Sequence, residues 1–245
     1  STRRSASIGQ QTLRRVLFED GSVPAQCVTI CVNDEEDVAQ YRTGLRTLVA
    51  RAGGLPEQRS ICTRYLPQGS WCLFLDDDVC RIHKPDHLSL HQLVMLGFLT
   101  AMQRRANLWG LNTSSNVIHL RECVSGAVGL VNGYFFGVIT DATVSDSTRT
   151  SDAVGGACED VERSVRYFKH SGLVRLNFAT AVAKNQTDAG GLQSYYAEPE
   201  SRKAAHAYVV QSLAAEFPEI ILADPLAPNG CRFRRRAMQE EPEPE

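Results

Sequence analysis

Apolar and polar positions alternate along the chain in a way that predicts strands and helices in turn. The apolar run 27–32 predicts a buried strand. Asn33 has the chemistry of a helix N-cap, and apolar residues at helical spacing predict a helix from there to the glycine pair 53–54. The apolar run 71–76 predicts a strand buried on both faces, as in a parallel sheet.

The rest of the chain continues this alternation. Helical spacing predicts helices at 87–107, 159–170 and 202–217, and apolar, β-branched runs predict strands at 107–112, 128–140, 173–183 and 219–222. Strands that alternate with helices favour an α/β class with a mostly parallel central sheet flanked by helices. We expect one Rossmann-like domain at 25–236, after an N-terminal extension at 1–24 and before an acidic, disordered tail at 237–245.

Composition limits the classes of protein. Hydrophobic residues make up 43% and charged residues 22% of the 245 residues, which is ordinary for a globular protein. No apolar stretch is long enough to span a bilayer, and the first residues do not have the pattern of a secretory signal. The 8 cysteines form no C-x-x-C pair and several lie in apolar runs. We therefore expect reduced thiols, a cytoplasmic or nuclear location, no secretion and no membrane partner.

Charge is spread unevenly. The formal net charge of −2 does not indicate a globally basic nucleic-acid binder. Arginines nevertheless cluster near both ends, and each cluster is either a basic rim or an ordinary solvated face. These residues are Arg3, Arg4, Arg14, Arg15, Arg232, Arg234, Arg235 and Arg236.

Three consecutive carboxylates, Asp76, Asp77 and Asp78, end the predicted strand 71–76. Because side chains alternate along a strand, Asp76 and Asp78 are expected to point the same way. Oxygen-only ligands suit a hard cation such as Mg²⁺ or Mn²⁺, which usually accompanies phosphates. The alternative is a charged turn that has no ligand.

A second acidic motif, with Glu159, Asp160 and Glu162, begins the predicted helix 159–170. A carboxylate there can act as a general base toward a hydroxyl. Acids in a first helical turn also interact favourably with the helix dipole, which would explain them without a catalytic role. Both interpretations stay open.

Taken in order, these motifs resemble the GT-A-fold glycosyltransferases over about residues 25–235. Residues 28–33 match the first strand of that family, Asp76 to Asp78 match its D-x-D motif, and 155–162 match its acidic helix start. A narrower resemblance is to the TET/JBP-associated glycosyltransferases, which include the base J glucosyltransferase and phage enzymes that act on DNA. It rests on the segments 76–79, 109–112, 133–137, 159–163 and 190–191.

The resemblance implies a single GT-A-like domain and a metal-dependent transfer. The sugar, typically glucose from UDP-glucose, would go to the 5-hydroxymethyl group of a pyrimidine in DNA, in the host cytoplasm if the protein is phage-encoded. One alternative is a UDP-sugar transferase acting on a protein or small-molecule hydroxyl. Others are a phosphatase of the haloacid-dehalogenase type, whose site also begins with a strand and D-x-D, and a binding module that keeps the fold without catalysis.

The expected roles follow the motifs. Asp160 would be the catalytic base, Asp78 a ligand of Mn²⁺ or Mg²⁺, and Asp76 a contact to the metal or to the ribose. Glycines let backbone N–H groups approach an anion, so a Lys184 and Gly-Gly segment is a candidate for the diphosphate. His206 is interpreted as a surface or core histidine in preference to a third metal ligand. The expected contacts to the UDP-sugar are Cys31, Asn33, Arg64, Asp76, Asn112, Lys184, Gly190 and Gly191.

Overall fold

The computed structural model describes residues 8–19, 21–32, 35–40, 44–51, 54–144, 148–183, 196 and 198–234. The helices are α1 (Ile8–Leu17, π-helical), α2 (Glu35–Gln40), α3 (Leu55–Tyr65), α4 (Leu90–Gln103), α5 (Arg149–Asp152), α6 (Glu159–Ser171) and α7 (Pro199–Glu216). The strands are β1 (Thr29–Val32), β2 (Arg46–Val49), β3 (Trp71–Leu75), β4 (Val79–His83), β5 (Leu108–Asn112), β6 (Val124–Ser125), β7 (Phe135–Ile139), β8 (Leu173–Ala183), β9 (Ile221–Ala223) and β10 (Cys231–Phe233). Across these ranges no helix is both long and apolar enough to cross a bilayer.

The central sheet has six strands in the order β3-β7-β5-β8-β4, with β6 paired to β8. This confirms the α/β class, but the sheet is mixed where the sequence predicted a mostly parallel one. The β5–β8 pair is parallel, whereas β3–β7, β5–β7, β4–β8 and β6–β8 are antiparallel. Parallel neighbours need a long crossover, usually a helix. Within residues 113–134 the only helical segment is one short 3₁₀ turn, so β7 returns antiparallel beside β5.

Strand β3, which carries the triple-aspartate motif, lies at one edge of this sheet. The prediction of a strand buried on both faces is wrong, because Trp71 is exposed and the other four residues of β3 are only half-buried. Its first residue, Trp71, is exposed at one side and stacks on Phe98 of α4, with 5.0 Å between ring centroids. The apolar run reflects contacts with α4 and β7 on a partly covered edge.

The region between the first strand and β3 differs from the prediction. The single helix predicted up to the glycine pair 53–54 ends at Gln40 in the described residues, and β2 follows and pairs parallel with β1. Apolar positions in the short segment around Leu48 fit both a helical and an extended period. Helix α3 was not predicted, because its buried residues are Pro56 and Arg59 and give no apolar stripe.

Two apolar clusters cover the two faces of the central sheet. Side chains alternate along β7, so Phe135 enters the cluster with α4 and Phe136 enters the cluster with α6 and α7. Gly137 of β7 faces the buried Trp109 of β5, and a Cβ at Gly137 would come within 1.9 Å of the indole nitrogen. A larger residue than glycine at this position would displace the central tryptophan.

Helix α1 packs against the sheet beside β4, although the sequence analysis set its residues in an N-terminal extension. Leu13, Val16 and Leu17 are buried in the α4 cluster. The buried Thr12 hydroxyl lies 3.0 Å from the carbonyl oxygens of both Asp76 and Val79. This helix therefore helps to hold the chain turn that contains the three aspartates.

Candidate functional site

The candidate site lies where the β3–β4 turn meets the beginnings of β7 and α6. The aspartates 76–78 follow the last residue of β3 and lead directly into β4; we call these residues the triple-aspartate turn. The Asp76 backbone N–H donates to the Tyr134 carbonyl at 3.0 Å, which extends the pairing of β3 with β7 by one residue. The turn is thereby fixed beside Tyr134.

A group of four charged side chains, three of them buried, joins this turn to the start of α6. Arg59 of α3 contacts Asp76 Oδ1 through Nη2 at 2.5 Å and Glu159 through Nη1. Arg163 Nη1 contacts the other oxygen of Glu159 at 2.9 Å. The side chains of Arg59, Glu159 and Arg163 are 9%, 7% and 4% exposed. Two cations and two anions balance, which is how buried charges are tolerated.

We call Arg59, Asp76, Glu159 and Arg163 the arginine bridge. The aromatic ring of Phe136 lies under both of its arginines. The guanidinium carbon of Arg163 is 3.7 Å and that of Arg59 is 5.3 Å from the ring centroid. Burial lowers the pKa of Arg163 to about 10, while the negative charge of Asp160 acts in the opposite direction. The bridge is closely packed, because a Cβ on Gly133 would lie 2.9 Å from a Glu159 oxygen.

The three acids at the start of α6 have different environments. Glu159 belongs to the arginine bridge. Glu162 is fully buried and accepts hydrogen bonds from the Ser151 N–H and hydroxyl, both at 2.7 Å, and from Arg166 Nε at 2.8 Å. Asp160 is half-buried and accepts from the Val161 N–H at 2.9 Å, and it has no ion-pair partner among the residues that the structure describes. Asp160 is thus the acid of the three whose charge the fold leaves unpaired.

Tyr134 connects the two acidic motifs. Its hydroxyl accepts a hydrogen bond from Asn132 at 2.6 Å. Burial raises the pKa of Tyr134; the Asn132 hydrogen bond opposes this, and the negative charges of Asp160 and Asp78 raise the pKa further. The direct link between the triple-aspartate turn and the start of α6 is Arg59, which contacts Asp76 and Glu159.

His206 of α7 lies beside the N-cap of α6. Its Nδ1 is 3.0 Å from the sulfur of Cys158, the N-cap residue of α6, which has a left-handed φ of 55°. Burial and the charge of Arg202 lower the pKa of His206, and the charge of Asp160 raises it. The sequence offered no signal for this placement, because only the packing of α7 on α6 brings the imidazole here.

Three of the predicted nucleotide contacts lie apart from the aspartates or are engaged elsewhere. Cys31 of β1 is half-buried, with its sulfur 3.2 Å from that of Cys62. Arg64 is exposed and donates to the Ser60 carbonyl at 3.4 Å, and Arg59 is the α3 arginine that contacts Asp76. The Asn112 amide donates to the His119 carbonyl at 3.0 Å and accepts from the Ser114 N–H at 2.9 Å, which occupies both of its ends.

The remaining predicted contacts, Asn33, Lys184, Gly190 and Gly191, lie outside the described residues. The expected diphosphate segment is therefore a prediction from the sequence alone.

A divalent metal is compatible with the turn only if the substrate supplies most of the ligands. Among the residues described, no group of three or more His, Cys, Asp or Glu side chains is arranged to hold a metal ion. Mg²⁺ is commonly bound through one or two carboxylates together with substrate phosphates and waters. Asp76 is paired with Arg59, and the oxygen donors of the turn, Asp78 among them, fit Mg²⁺ or Mn²⁺ in that way.

The fold belongs to the GT-A-like α/β class. No family model and no curated protein matches the sequence. A solved structure that does match is that of S. aureus TarS, residues 1–349, in complex with UDP-GlcNAc, with a TM-score of 0.52 and 13% sequence identity. TarS is a glycosyltransferase with a GT-A-like fold. The sequence motifs of this chain predicted the same fold. The match covers 84% of this chain and 62% of the TarS chain, so this protein spans less than two thirds of that length.

Proposed function

We propose that this protein is a glycosyltransferase that takes its sugar from a UDP-sugar. The observation that carries the proposal is the link that Arg59 makes between the triple-aspartate turn and the acidic start of α6, within a GT-A-like fold. The solved complex of TarS with UDP-GlcNAc supports a nucleotide-sugar donor. The same likeness favours a transferase over the phosphatase alternative.

The donor side of the proposed site is the triple-aspartate turn. A sugar–phosphate bond breaks through an oxocarbenium-like transition state, and negative charge grows on the departing diphosphate. A divalent cation bound at Asp78 would neutralise that charge. Asp76 lies in the arginine bridge through Oδ1, and its other oxygen would contact the metal or the ribose. The role of Arg59 is to hold Asp76 in a fixed position while the diphosphate leaves.

The acceptor side is the first turn of α6. An acceptor hydroxyl has a high pKa and needs a base to take its proton as it attacks the sugar. Glu159 and Glu162 are both held by buried hydrogen bonds and ion pairs, which leaves Asp160 for this role. His206 would complete the polar wall beside Asp160. As the imidazole is half-buried and its pKa is lowered, it would act here as a neutral hydrogen-bonding group.

For the acceptor we propose a 5-hydroxymethylpyrimidine in DNA, with a protein or small-molecule hydroxyl as the alternative. The support is an exposed tip after β5, where Val117 is 47% and Ile118 is 80% exposed and Arg121 follows on the surface. This tip joins the site through Asn132, which bonds both the Thr113 carbonyl at 3.2 Å and the Tyr134 hydroxyl. A base must leave the stack to be modified, and apolar wedges beside basic groups are used for this purpose.

The test is a transfer assay with two donors and two acceptors. The protein is incubated with Mn²⁺ and either UDP-glucose or UDP-GlcNAc, together with DNA that contains 5-hydroxymethylpyrimidines or only ordinary bases. Nucleosides are then analysed by mass spectrometry, and UDP release is measured separately. We expect the mass of one sugar to be added to hydroxymethylated nucleosides only.

Three results separate the parts of the proposal. UDP release without sugar on DNA would remove the DNA acceptor but keep the transferase. No UDP release with either donor would contradict the proposed function itself. If DNA is the acceptor, Ile118→Ser should reduce transfer to DNA and leave the slow hydrolysis of the UDP-sugar unchanged, because this side chain lies on the acceptor side.

A further inference from the structure

Cys31 and Cys62 form a sulfur pair between β1 and α3. Their sulfur atoms are 3.2 Å apart, and both residues are half-buried, so the pair can be reached from solvent. All eight cysteines are free thiols. The Cys62 and Cys31 thiols are joined by a sulfur–sulfur hydrogen bond. A disulfide bond is about 2.05 Å long, so the two sulfurs need to move together by roughly 1 Å. The fold therefore already brings two thiols to within a small movement of bonding.

We propose that Cys31 and Cys62 form a reversible disulfide, made by exchange with a low-molecular-weight disulfide such as glutathione disulfide. The proposal does not rest on the proposed sugar transfer, because it needs only the placement of the two thiols. The disulfide would also link α3 covalently to β1, whereas in the reduced protein these elements meet through side-chain packing and hydrogen bonding.

The two thiols are unequal in a way that suits exchange. The Cys62 thiol donates to the Cys31 sulfur, which lowers the pKa of Cys31 and raises that of Cys62. A thiolate is the attacking species in thiol–disulfide exchange, so Cys31 would react first. Cys72 of β3 lies near Cys31, but burial raises the pKa of Cys72 to about 12 and keeps this neighbour as an unreactive thiol.

The exchange balances in two steps. The Cys31 thiolate attacks one sulfur of glutathione disulfide, the S–S bond breaks, and one glutathione leaves as a thiolate. Cys62 then transfers its proton to that departing thiolate, and its sulfur attacks the Cys31 sulfur and displaces the second glutathione. The two cysteines lose two electrons in total, and one glutathione disulfide is reduced to two thiols. Excess thiol reverses the reaction.

The bond would constrain the helix that carries Arg59. Arg59 lies one helical turn before Cys62 on α3 and contacts both Asp76 and Glu159. Fixing α3 to β1 therefore restricts the helix on which the arginine bridge depends. The closed loop between residues 31 and 62 would also raise the melting temperature by about 5–10 °C, from the usual effect of a disulfide on the unfolded chain.

The experiment uses the full chain in buffers that contain increasing glutathione disulfide. Free thiols are alkylated, and peptides are analysed by mass spectrometry with and without dithiothreitol. We expect a Cys31–Cys62 linked peptide, loss of two alkylation sites and full reversal by dithiothreitol. Hydrogen exchange of α3 amides should slow by roughly tenfold or more in the oxidised protein, while α4 amides stay unchanged.

Two variants sharpen the test. In Cys62→Ser, Cys31 should stop at the mixed disulfide with glutathione, and the α3 amides should exchange at one rate under both conditions. Cys123→Ser removes an exposed thiol elsewhere and should still form the linked peptide. The proposal is overturned if Cys31 and Cys62 stay alkylated under conditions that modify Cys123, or if Cys31 becomes linked to Cys72.

Discussion

The triple-aspartate turn and the first turn of α6 carry similar numbers of carboxylates but treat them differently. In α6, two of the acids are buried and bound, Glu159 to two arginines and Glu162 to the start of α5 and Arg166. At the β3–β4 turn all three aspartates stay partly exposed, and Asp76 shares Arg59 with Glu159. Acidic residues that look alike in the sequence thus differ in how deeply the fold buries them.

The comparison also shows that the two motifs are not independent. Arg59 contacts one acid from each, so the position of the turn and the position of α6 depend on the same guanidinium. A change in the bridge should therefore disturb both motifs, whereas a change in Asp78 or Asp160 should disturb one side only. The predictions below test that division.

The largest effect is expected for Asp78→Asn. The substitution removes a negative charge from the donor side, where a divalent cation would meet the diphosphate, so transfer should be abolished. UDP binding measured by calorimetry with Mn²⁺ should weaken, and a chelator should weaken wild-type binding in the same way. Thermal stability should stay close to that of the wild type. Full transfer activity in a chelator would remove the metal role.

Asp160→Asn should lower sugar transfer by a factor on the order of 10²–10⁴, the usual contribution of a general base. UDP-sugar binding should be unchanged, because Asp160 serves the nucleophile and not the leaving group. Comparing donor affinity in Asp78→Asn and Asp160→Asn separates the two sides of the site. Near-normal transfer by Asp160→Asn would remove the catalytic role of Asp160.

Glu162→Gln should act on the fold and not on chemistry. The amide cannot accept all the hydrogen bonds from Ser151, Thr150 and Arg166, and a buried network that loses a partner costs about 2–4 kcal/mol of unfolding free energy. Urea unfolding measures this loss. The matched control is Glu200→Gln, an exposed acid paired only with Lys203, which should leave the urea midpoint unchanged. Equal stability of the two variants would contradict the structural role of Glu162.

The smallest effect concerns Asp141, an acid outside the site at the end of β7. Partial burial opposes its ionisation, but hydrogen bonds from Thr143 and contact with His170 lower the pKa of Asp141 from 3.8 to about 2. A lowered carboxyl pKa adds stability above the ordinary pKa, and this stability is lost as the pH falls toward 2. Asp141→Asn should cost about 1 kcal/mol at neutral pH.

The pH dependence of that difference is the informative measurement. Urea unfolding at several pH values should show the wild type and Asp141→Asn converging between pH 4 and pH 2, the interval set by the two pKa values. A difference that stays constant over this interval would show that Asp141 acts through packing and not through its charge.

Long, strongly patterned elements were predictable from the sequence. Strand β8 (Leu173–Ala183) and helix α6 (Glu159–Ser171) are observed at the predicted positions, and α4 begins at the Ser89 capping box within its predicted range. The GT-A-like fold was also predicted, from the order of short motifs, and the fold match confirms it. These features are local or sequential, so they can be read without knowledge of tertiary contacts.

The errors arose where the decisive contacts are distant in the chain. Helix α3 gave no apolar stripe because it buries an arginine, and that arginine is stabilised by acids 17 and 100 residues away, Asp76 and Glu159. Strand β2 was assigned to a helix because its pairing with β1, and not its own pattern, makes it extended. Whether β3 lies at the edge or in the centre of the sheet likewise depends on which strands pair with it.

The sequence by itself determined that one acidic motif follows a strand and the other begins a helix, since caps, turns and periodicity depend on neighbours in the chain. Only the tertiary structure decided which carboxylates are bound, because a charge is neutralised by whatever lies within a few ångströms of it in space. Arg59 binds Asp76 and Glu159, Arg166 and Ser151 bind Glu162, and Asp160 has no ion-pair partner among the described residues.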